Sequence, residues 1–365
     1  MSDLRKPAQI SRNNPAAYCL EQLCFEITRE CPLHCVHCSS NGGLRSLDEL
    51  SLAEKREVIR DFRRLGGTEI DFSGGEPFVL CEQLFELLQD TTGFRRVGIF
   101  TTGFLLDTNL VNRLAGHGPV ELHLSCYAAD PVLHDAMTNM PGSWEALNLA
   151  TAMAKRAGLF TGWHFLICRP NLAELEAVVN LALGHGVDMV SILRLVNQGR
   201  AALNAKELEV SPREFSVLLR RFSTIKAKVG SRISMRAGCP VDFFFLWTPG
   251  AAPRVCKAGV DRCLVEPNGE VIPCAAFKGL PEFACGNVRD PGGLIGIWNR
   301  SNALTRFRAV REGFATSVCN CPRSSECQGR CAAQRFYSYG DLMQGPDPLC
   351  PRGVALPDAL RSTAA

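Results

Sequence analysis

No apolar run in this 365-residue chain approaches the roughly 20 residues of a membrane-spanning helix, which argues against a transmembrane helix. The N-terminus is polar and does not read as a secretory signal. Charge of one sign is missing too. The net charge is +3, and the basic pairs Arg63-Arg64, Arg95-Arg96 and Arg220-Arg221 are scattered. Such pairs suit solvated helix faces and argue against a nucleic-acid stripe. Cysteine, by contrast, is abundant, at 18 residues. In a secreted protein that number would suggest disulfides. In a long chain without a signal, ligation of a metal or cluster is the better reading, in an oxygen-sensitive protein of the cytoplasm. An apolar content of 46% is ample for a core. The length suits one large α/β domain plus a smaller module.

Cys31, Cys35 and Cys38 stand in the segment Cys-Pro-Leu-His-Cys-Val-His-Cys, directly after the apolar run from Leu23 to Ile27. Three thiolates so close in sequence can grip three corners of one cuboidal iron–sulfur cluster. What the segment lacks is a fourth ligand. A structural zinc site closes with four, and neither His34 nor His37 completes this one convincingly. A cluster iron without a protein ligand is free to bind a substrate or cofactor. Further on, Ser73-Gly74-Gly75-Glu76-Pro77 follows the alternating run Thr68 to Phe72, which reads as a strand ending in a turn. Glycines let a ligand approach the backbone, and Glu76 offers a carboxylate for a cationic group.

Together the C-x3-C-x2-C triad and the Gly-Gly-Glu-Pro turn resemble the radical S-adenosylmethionine (radical SAM) superfamily. The resemblance implies that the open iron chelates the amino and carboxyl groups of the methionine moiety, and that the glycine-rich turn contacts its amino group. It also implies an open (β/α)6 TIM-like barrel. The sequence supplies six candidate strands: Leu23–Thr28, Thr68–Phe72, Val97–Thr101, Val120–Ser125, Thr161–Ile167 and Val187–Leu193. Amphipathic stretches separate them, an alternation that builds parallel sheets with right-handed crossovers. Ser51-Leu-Ala-Glu54 and Ser211-Pro-Arg-Glu214 read as capping boxes at helix starts.

Barrel chemistry collects at the carboxyl ends of strands, so the residues there become candidates. Thr101-Thr102-Gly103 ends the third strand and is similar to the family's Thr-Asn-Gly turn. Ser125 ends the fourth, where similar enzymes place a serine near the methionine part of SAM. Arg194 follows the sixth, where an arginine often pairs with the SAM carboxylate; Arg200, in Gln198-Gly199-Arg200, is a second possibility. Strand parity puts His164, Leu166 and Cys168 on one face, which makes Cys168 the candidate thiol for returning a hydrogen atom to a substrate radical.

After residue 236, Cys, Gly and Pro dominate. Leu264-Val265 and Val271-Ile272 flank Pro267-Asn268-Gly269 as a hairpin. Eight cysteines offer two sets of four thiolates, and the pattern resembles the SPASM extension with its two auxiliary [4Fe–4S] clusters. The resemblance assigns Cys256, Cys263, Cys274 and Cys331 to one cluster, and Cys319, Cys321, Cys327 and Cys350 to the other. One departure stands out: Cys319 and Cys321 have a single spacer where the family has two residues. Of the remaining Cys19, Cys24, Cys81, Cys126, Cys239 and Cys285, most are expected to be buried small side chains, with Cys239 and Cys285 alternative hydrogen donors.

The expected organisation is an N-terminal extension to residue 20, a radical SAM core over 21–235, a SPASM domain over 236–351 and a tail over 352–365. The resemblance implies a 5′-deoxyadenosyl radical that abstracts hydrogen from a substrate. That substrate is a ribosomal peptide undergoing crosslinking, thioether formation or epimerisation, or alternatively an aminocyclitol or sugar of antibiotic biosynthesis. A non-catalytic electron carrier would not require the Gly-Gly-Glu-Pro turn. Expected partners are an electron donor such as flavodoxin or ferredoxin and, because only about twenty residues precede the first strand, a separate leader-peptide-binding protein; no nucleic acid or membrane is expected.

Overall fold

The computed structural model describes residues 18–238, 243, 256–314, 321 and 324–351. All six expected strands form: β1 (Gln22–Thr28), β2 (Glu69–Gly74), β3 (Arg96–Thr101), β4 (Val120–Cys126), β5 (Phe160–Ile167) and β6 (Met189–Arg194). Each pairs in parallel with the next. Both capping boxes are made, the Ser51 N–H donating to Glu54 at 2.7 Å and the Ser211 N–H to Glu214 at 2.8 Å. Period-2 alternation sorts the side chains. Leu23, Phe25, Ile27, Phe72, Ile99, Leu124, Phe165 and Ile192 face the surrounding helices and form the core. Burying each such side chain stabilises the fold by about 1.5–3 kcal/mol. The inner face is far more polar, carrying Glu26, Asp71, Glu121, His123 and His164.

Among the described residues four strands lie beyond the expected six, two of them the foreseen hairpin. β7 (Ser234–Ala237) pairs with β6 in parallel, straddling the boundary expected at 235. The hairpin forms as β8 (Arg262–Val265) and β9 (Glu270–Ile272), with Leu264 opposite Ile272. β8 also lies parallel to β1, and β10 (Gly286–Asn287) closes on β9. The resulting sheet runs β10-β9-β8-β1-β2-β3-β4-β5-β6-β7 and stays open. Among the described residues no helix is long and apolar enough to cross a membrane.

Candidate active site

The loop after β1 carries the triad, and neighbouring strand ends pin it from two sides. From β2, the Gly75 N–H donates to the Thr28 carbonyl at 2.7 Å and the Glu76 N–H to the Glu30 carbonyl at 2.8 Å. A Cβ at Gly74 would sit 2.2 Å from the Thr28 oxygen, and one at Gly75 2.2 Å from the Glu30 oxygen. The two glycines are therefore required by the close approach of the turn to the triad loop, and they line the cavity as well. From beyond β6, Arg200 donates from Nε to the Cys35 carbonyl and from Nη1 to the Gly42 carbonyl, both at 2.8 Å. Asn204 donates to the Val36 carbonyl at 2.9 Å. Arg200 is thus a clamp on the triad loop, a role the sequence did not reveal.

Glu76 departs from expectation. Its carboxylate is fully buried and accepts from Thr101 Oγ1 (2.7 Å), the Thr102 N–H (2.8 Å), Thr102 Oγ1 (2.7 Å) and the Phe78 N–H (3.2 Å). Burial still raises its pKa despite these donors. Both oxygens are spent on tying the β2 turn to the end of β3, so the side chain is not presented to a cationic ligand. Thr101 is thereby fixed as well.

A cavity of about 330 Å³ opens at the carboxyl ends of β1 to β6, within the size range of small-molecule sites. Cys31, Cys35, Cys38, Gly74, Gly75, Thr101, Ser125 and Arg194 all line it, so of the residues expected to hold the SAM-binding cluster and SAM itself only Glu76 does not. A larger cleft of about 540 Å³ lies at the opposite end, around Asp188, Lys226 and Ser234, away from every candidate residue. Burial pushes the Cys31 thiol up to about 11 and the Cys35 thiol up to about 12. Such thiols ionise only beside a cation, and cluster iron provides one. The Gly42 N–H points at Cys38 Sγ, 3.4 Å away, as suits a thiolate. The donor set fits a cluster with three protein ligands. Among the described residues no three His, Cys, Asp or Glu side chains form a single-ion site.

Arg194 is buried at the cavity wall, and Asp347 from the C-terminal half holds it. Nη1 lies 2.9 and 2.8 Å from the two carboxylate oxygens, while Nη2 is buried without a partner. The same carboxylate accepts from the Cys331 N–H at 3.2 Å and the Leu349 N–H at 3.0 Å. Asp347 went unnoticed in the sequence, where nothing separates it from other loop aspartates.

Two cysteine expectations need correction. Cys168 does not line the cavity, although His164 and Leu166 do. β5 stops at Ile167, and the Cys168 N–H donates to Asn171 Oδ1 at 2.8 Å as the chain turns. The thiol is buried among Tyr127, Met137 and Leu208, and burial pushes it up to about 12. Cys263 lies on β8 opposite Leu23 and, like its partner, packs into the barrel core, together with Cys285. Cys256, Cys274 and Cys331 instead meet around Phe277, Phe283 and Phe307. Cys321 and Cys327 interact with each other. Cys350 donates its N–H to the Asp347 carbonyl at 2.8 Å. Cys239 and Cys319 lie outside the described residues. Of the remaining cysteines, Cys126 and Cys285 are buried, Cys24 and Cys81 only partly, and Cys19 is exposed.

The sequence pattern of the Radical SAM superfamily matches residues 25–182, and that of the SPASM iron–sulfur cluster-binding domain matches residues 256–331. Mycofactocin maturase MftC of Mycolicibacterium smegmatis is 30% identical over 360 residues, covering 96% of this chain and 86% of that protein. PqqA peptide cyclase of Rhizobium meliloti is 27% identical, covering 96% and 92%. AdoMet-dependent heme synthase of Oleidesulfovibrio alaskensis is 26% identical, covering 95% and 90%. The structure of Streptococcus suis SuiB bound to S-adenosylmethionine shares the fold, with a TM-score of 0.72 at 16% identity over 91% of this chain and 77% of that one. The chain belongs to the radical SAM superfamily and carries a C-terminal SPASM domain. It is an enzyme of that class, built to bind SAM and iron–sulfur clusters.

Proposed function

We propose that this enzyme matures a ribosomally made peptide by net oxidation, forming a crosslink or a related new bond. The observation that carries this reading is the 30% identity to a mycofactocin maturase across 96% of the chain. When bound, the cluster–SAM pair supplies a 5′-deoxyadenosyl radical that removes one substrate hydrogen atom, and auxiliary clusters supply an outlet for the next electron. Cys31, Cys35 and Cys38 would hold the first cluster. Gly74, Gly75, Thr101 and Ser125 would line the methionine end, with Arg194 donating to its carboxylate. Cys256, Cys274 and Cys331 would hold one auxiliary cluster and Cys319, Cys321, Cys327 and Cys350 the other, three clusters in all. A buried Cys168 off the cavity wall favours oxidation over epimerisation, which needs a thiol within reach of the substrate radical. Flavodoxin or ferredoxin would reduce the enzyme in the cytoplasm, and a separate protein would present the leader peptide.

The likeness to a heme synthase supports a small-molecule substrate as the second reading. The reduced enzyme, SAM and a candidate precursor peptide, sought as a short coding sequence beside its gene, decide between them. A SAM-dependent loss of two hydrogens from the peptide, with no deuterium taken up from deuterated water, is the expected result. An unchanged peptide overturns the maturase reading. One deuterium gained per turnover would restore epimerisation.

A further inference from the structure

A second cavity, of about 380 Å³, adjoins the SAM cavity, and the reaction proposed above leaves it unused. Ser39, Gly74 and Gly75 line both. The cavity forms where three distant segments meet the triad loop. Glu266 stands just past the end of β8, Gln198 follows β6, and Lys278 follows Cys274 in the C-terminal half. Gly199 makes the approach possible. Its φ is +53°, and a Cβ there would sit 2.7 Å from Asn41 Oδ1 and 2.8 Å from the Cys38 carbonyl oxygen.

The charges around this cavity do not balance. The carboxylates of Glu26, Asp48 and Glu266 face two cations, Arg29 and Lys278. Glu26, only 6% exposed, is ion-paired with Lys278, whose Nζ also donates to Ser40 Oγ at 2.6 Å. Arg29 donates from Nε to the Asn41 carbonyl at 3.1 Å. Glu266 is left over, its Oε1 buried without a hydrogen-bond partner. Burial pushes its carboxyl up to about 7; Lys278 opposes the rise, and Glu26 and Glu270 add to it.

Gln198, 7% exposed, carries a second open acceptor. Its Nε2 donates to the Lys278 carbonyl at 3.3 Å and to the Tyr337 hydroxyl. A carbonyl only accepts, which fixes the orientation of the amide and leaves Oε1 buried without a partner. A buried acceptor without a donor is costly, and a buried carboxylate without a cation more so. Among the described residues no three His, Cys, Asp or Glu side chains converge to hold a metal ion. An ammonium group suits the site better. Its three donors point apart and can meet acceptors on separate segments, whereas a guanidinium fork prefers both oxygens of one carboxylate.

We propose that this cavity holds an alkylammonium group of the substrate, which donates to Glu266 Oε1 and Gln198 Oε1. The source of that group rests on the peptide reading above, which makes it a lysine side chain. The flexible four-carbon stem of lysine lets the charge enter while the peptide backbone stays outside. Because the two cavities share Ser39 and the Gly74-Gly75 turn, a residue anchored in one brings its neighbours to the other. Glu266 and Gln198 select the substrate and take no part in making the new bond.

Binding of Nα-acetyl-lysine methylamide to the cluster-containing enzyme tests this, with S-adenosylhomocysteine present to fill the SAM cavity. Calorimetry should find it at least roughly tenfold tighter than the uncharged norleucine counterpart, as a hydrogen bond to a charged group warrants. Glu266→Gln should erase most of that preference yet keep or raise the thermal midpoint, because a buried, unpaired charge is removed. Asp48→Asn removes an exposed carboxylate that also lines the cavity and should change affinity by less than about threefold. Equal affinity of the wild type for the lysine and norleucine compounds overturns the inference, whatever the variants do. Equal losses in Glu266→Gln and Asp48→Asn reveal long-range attraction only and overturn the site. A lowered midpoint with unchanged affinity in Glu266→Gln assigns a structural role and overturns it too. The aminocyclitol deoxystreptamine separates the two sources of an ammonium: tighter binding of it than of the lysine compound overturns the lysine assignment. A preference for lysine in an enzyme that leaves its candidate peptide unchanged supports the ammonium site and overturns the maturase reading alone.

Discussion

The two halves of this protein hold their cysteines by different means. At the barrel mouth, Cys31, Cys35 and Cys38 occupy a loop whose own backbone is bonded to the end of β2 and to Arg200 and Asn204 beyond β6. Its geometry is set by the sheet, and the thiols face one cavity. In the C-terminal half the cysteines are dispersed. Three gather around phenylalanines, one is absorbed into the barrel core, and Cys350 hangs on the Asp347 turn. The first arrangement is tied by backbone hydrogen bonds to neighbouring strand ends, whereas the cysteines of the second belong to separate packing units. Coupling of metal binding to folding is the general expectation for such cysteine-rich modules.

The largest effect that would break this comparison comes from replacing Cys31, Cys35 and Cys38 together by alanine. The preformed loop should survive as a fold, with β1, β2 and the Arg200 region intact. 5′-Deoxyadenosine formation should vanish, and iron should fall by about four atoms per chain, one cluster's worth. Loss of all iron would show that the two halves load as one unit. Retained SAM cleavage would refute the triad as the cluster site.

A smaller effect is expected at the join. Arg194 and Asp347 are both buried, and the carboxylate also accepts from the Cys331 and Leu349 N–H groups. Asp347→Ala leaves a buried guanidinium unpaired and two amides without their acceptor. Breaking a buried pair from one side costs roughly 3–5 kcal/mol. Urea titration should show that loss, with weaker SAM binding because Arg194 is no longer aimed. Unchanged stability would mean that β8 pairing along β1 joins the halves by itself.

The sequence made the barrel legible because each of its signals is local. Alternating apolar runs, two capping boxes and an Asn-Gly hairpin depend on neighbours in the chain, and all formed where expected. The triad was legible for the same reason. Less legible were residues whose meaning depends on distant partners. The carboxylate of Glu76 is consumed by Thr101 and Thr102, 25 and 26 positions away. Arg194 finds Asp347 across 153 positions. Cys168 falls off the cavity wall because parity was extended one residue past the end of β5, where Asn171 turns the chain. Glu266 was hidden as well, because only the fold brings the end of β8 to one cavity with Gln198 and the triad loop.

Cys263 gives the finest test of the comparison, because spacing and strand parity make opposite claims about it. Spacing places it among the auxiliary-cluster ligands. Parity places it on β8, opposite Leu23 and buried to 1% exposure in the barrel core. A thiol there behaves as a small hydrophobe. If parity governs, Cys263→Ala should keep the full iron content of the wild type and cost only about 1 kcal/mol of stability, the loss of one packed sulfur. Cys256→Ala is the reference, expected to lose up to about four iron atoms per chain along with the cluster signal in electron paramagnetic resonance. Equal iron loss in both variants would return Cys263 to the ligand set and require the edge strand to rearrange when the cluster is bound.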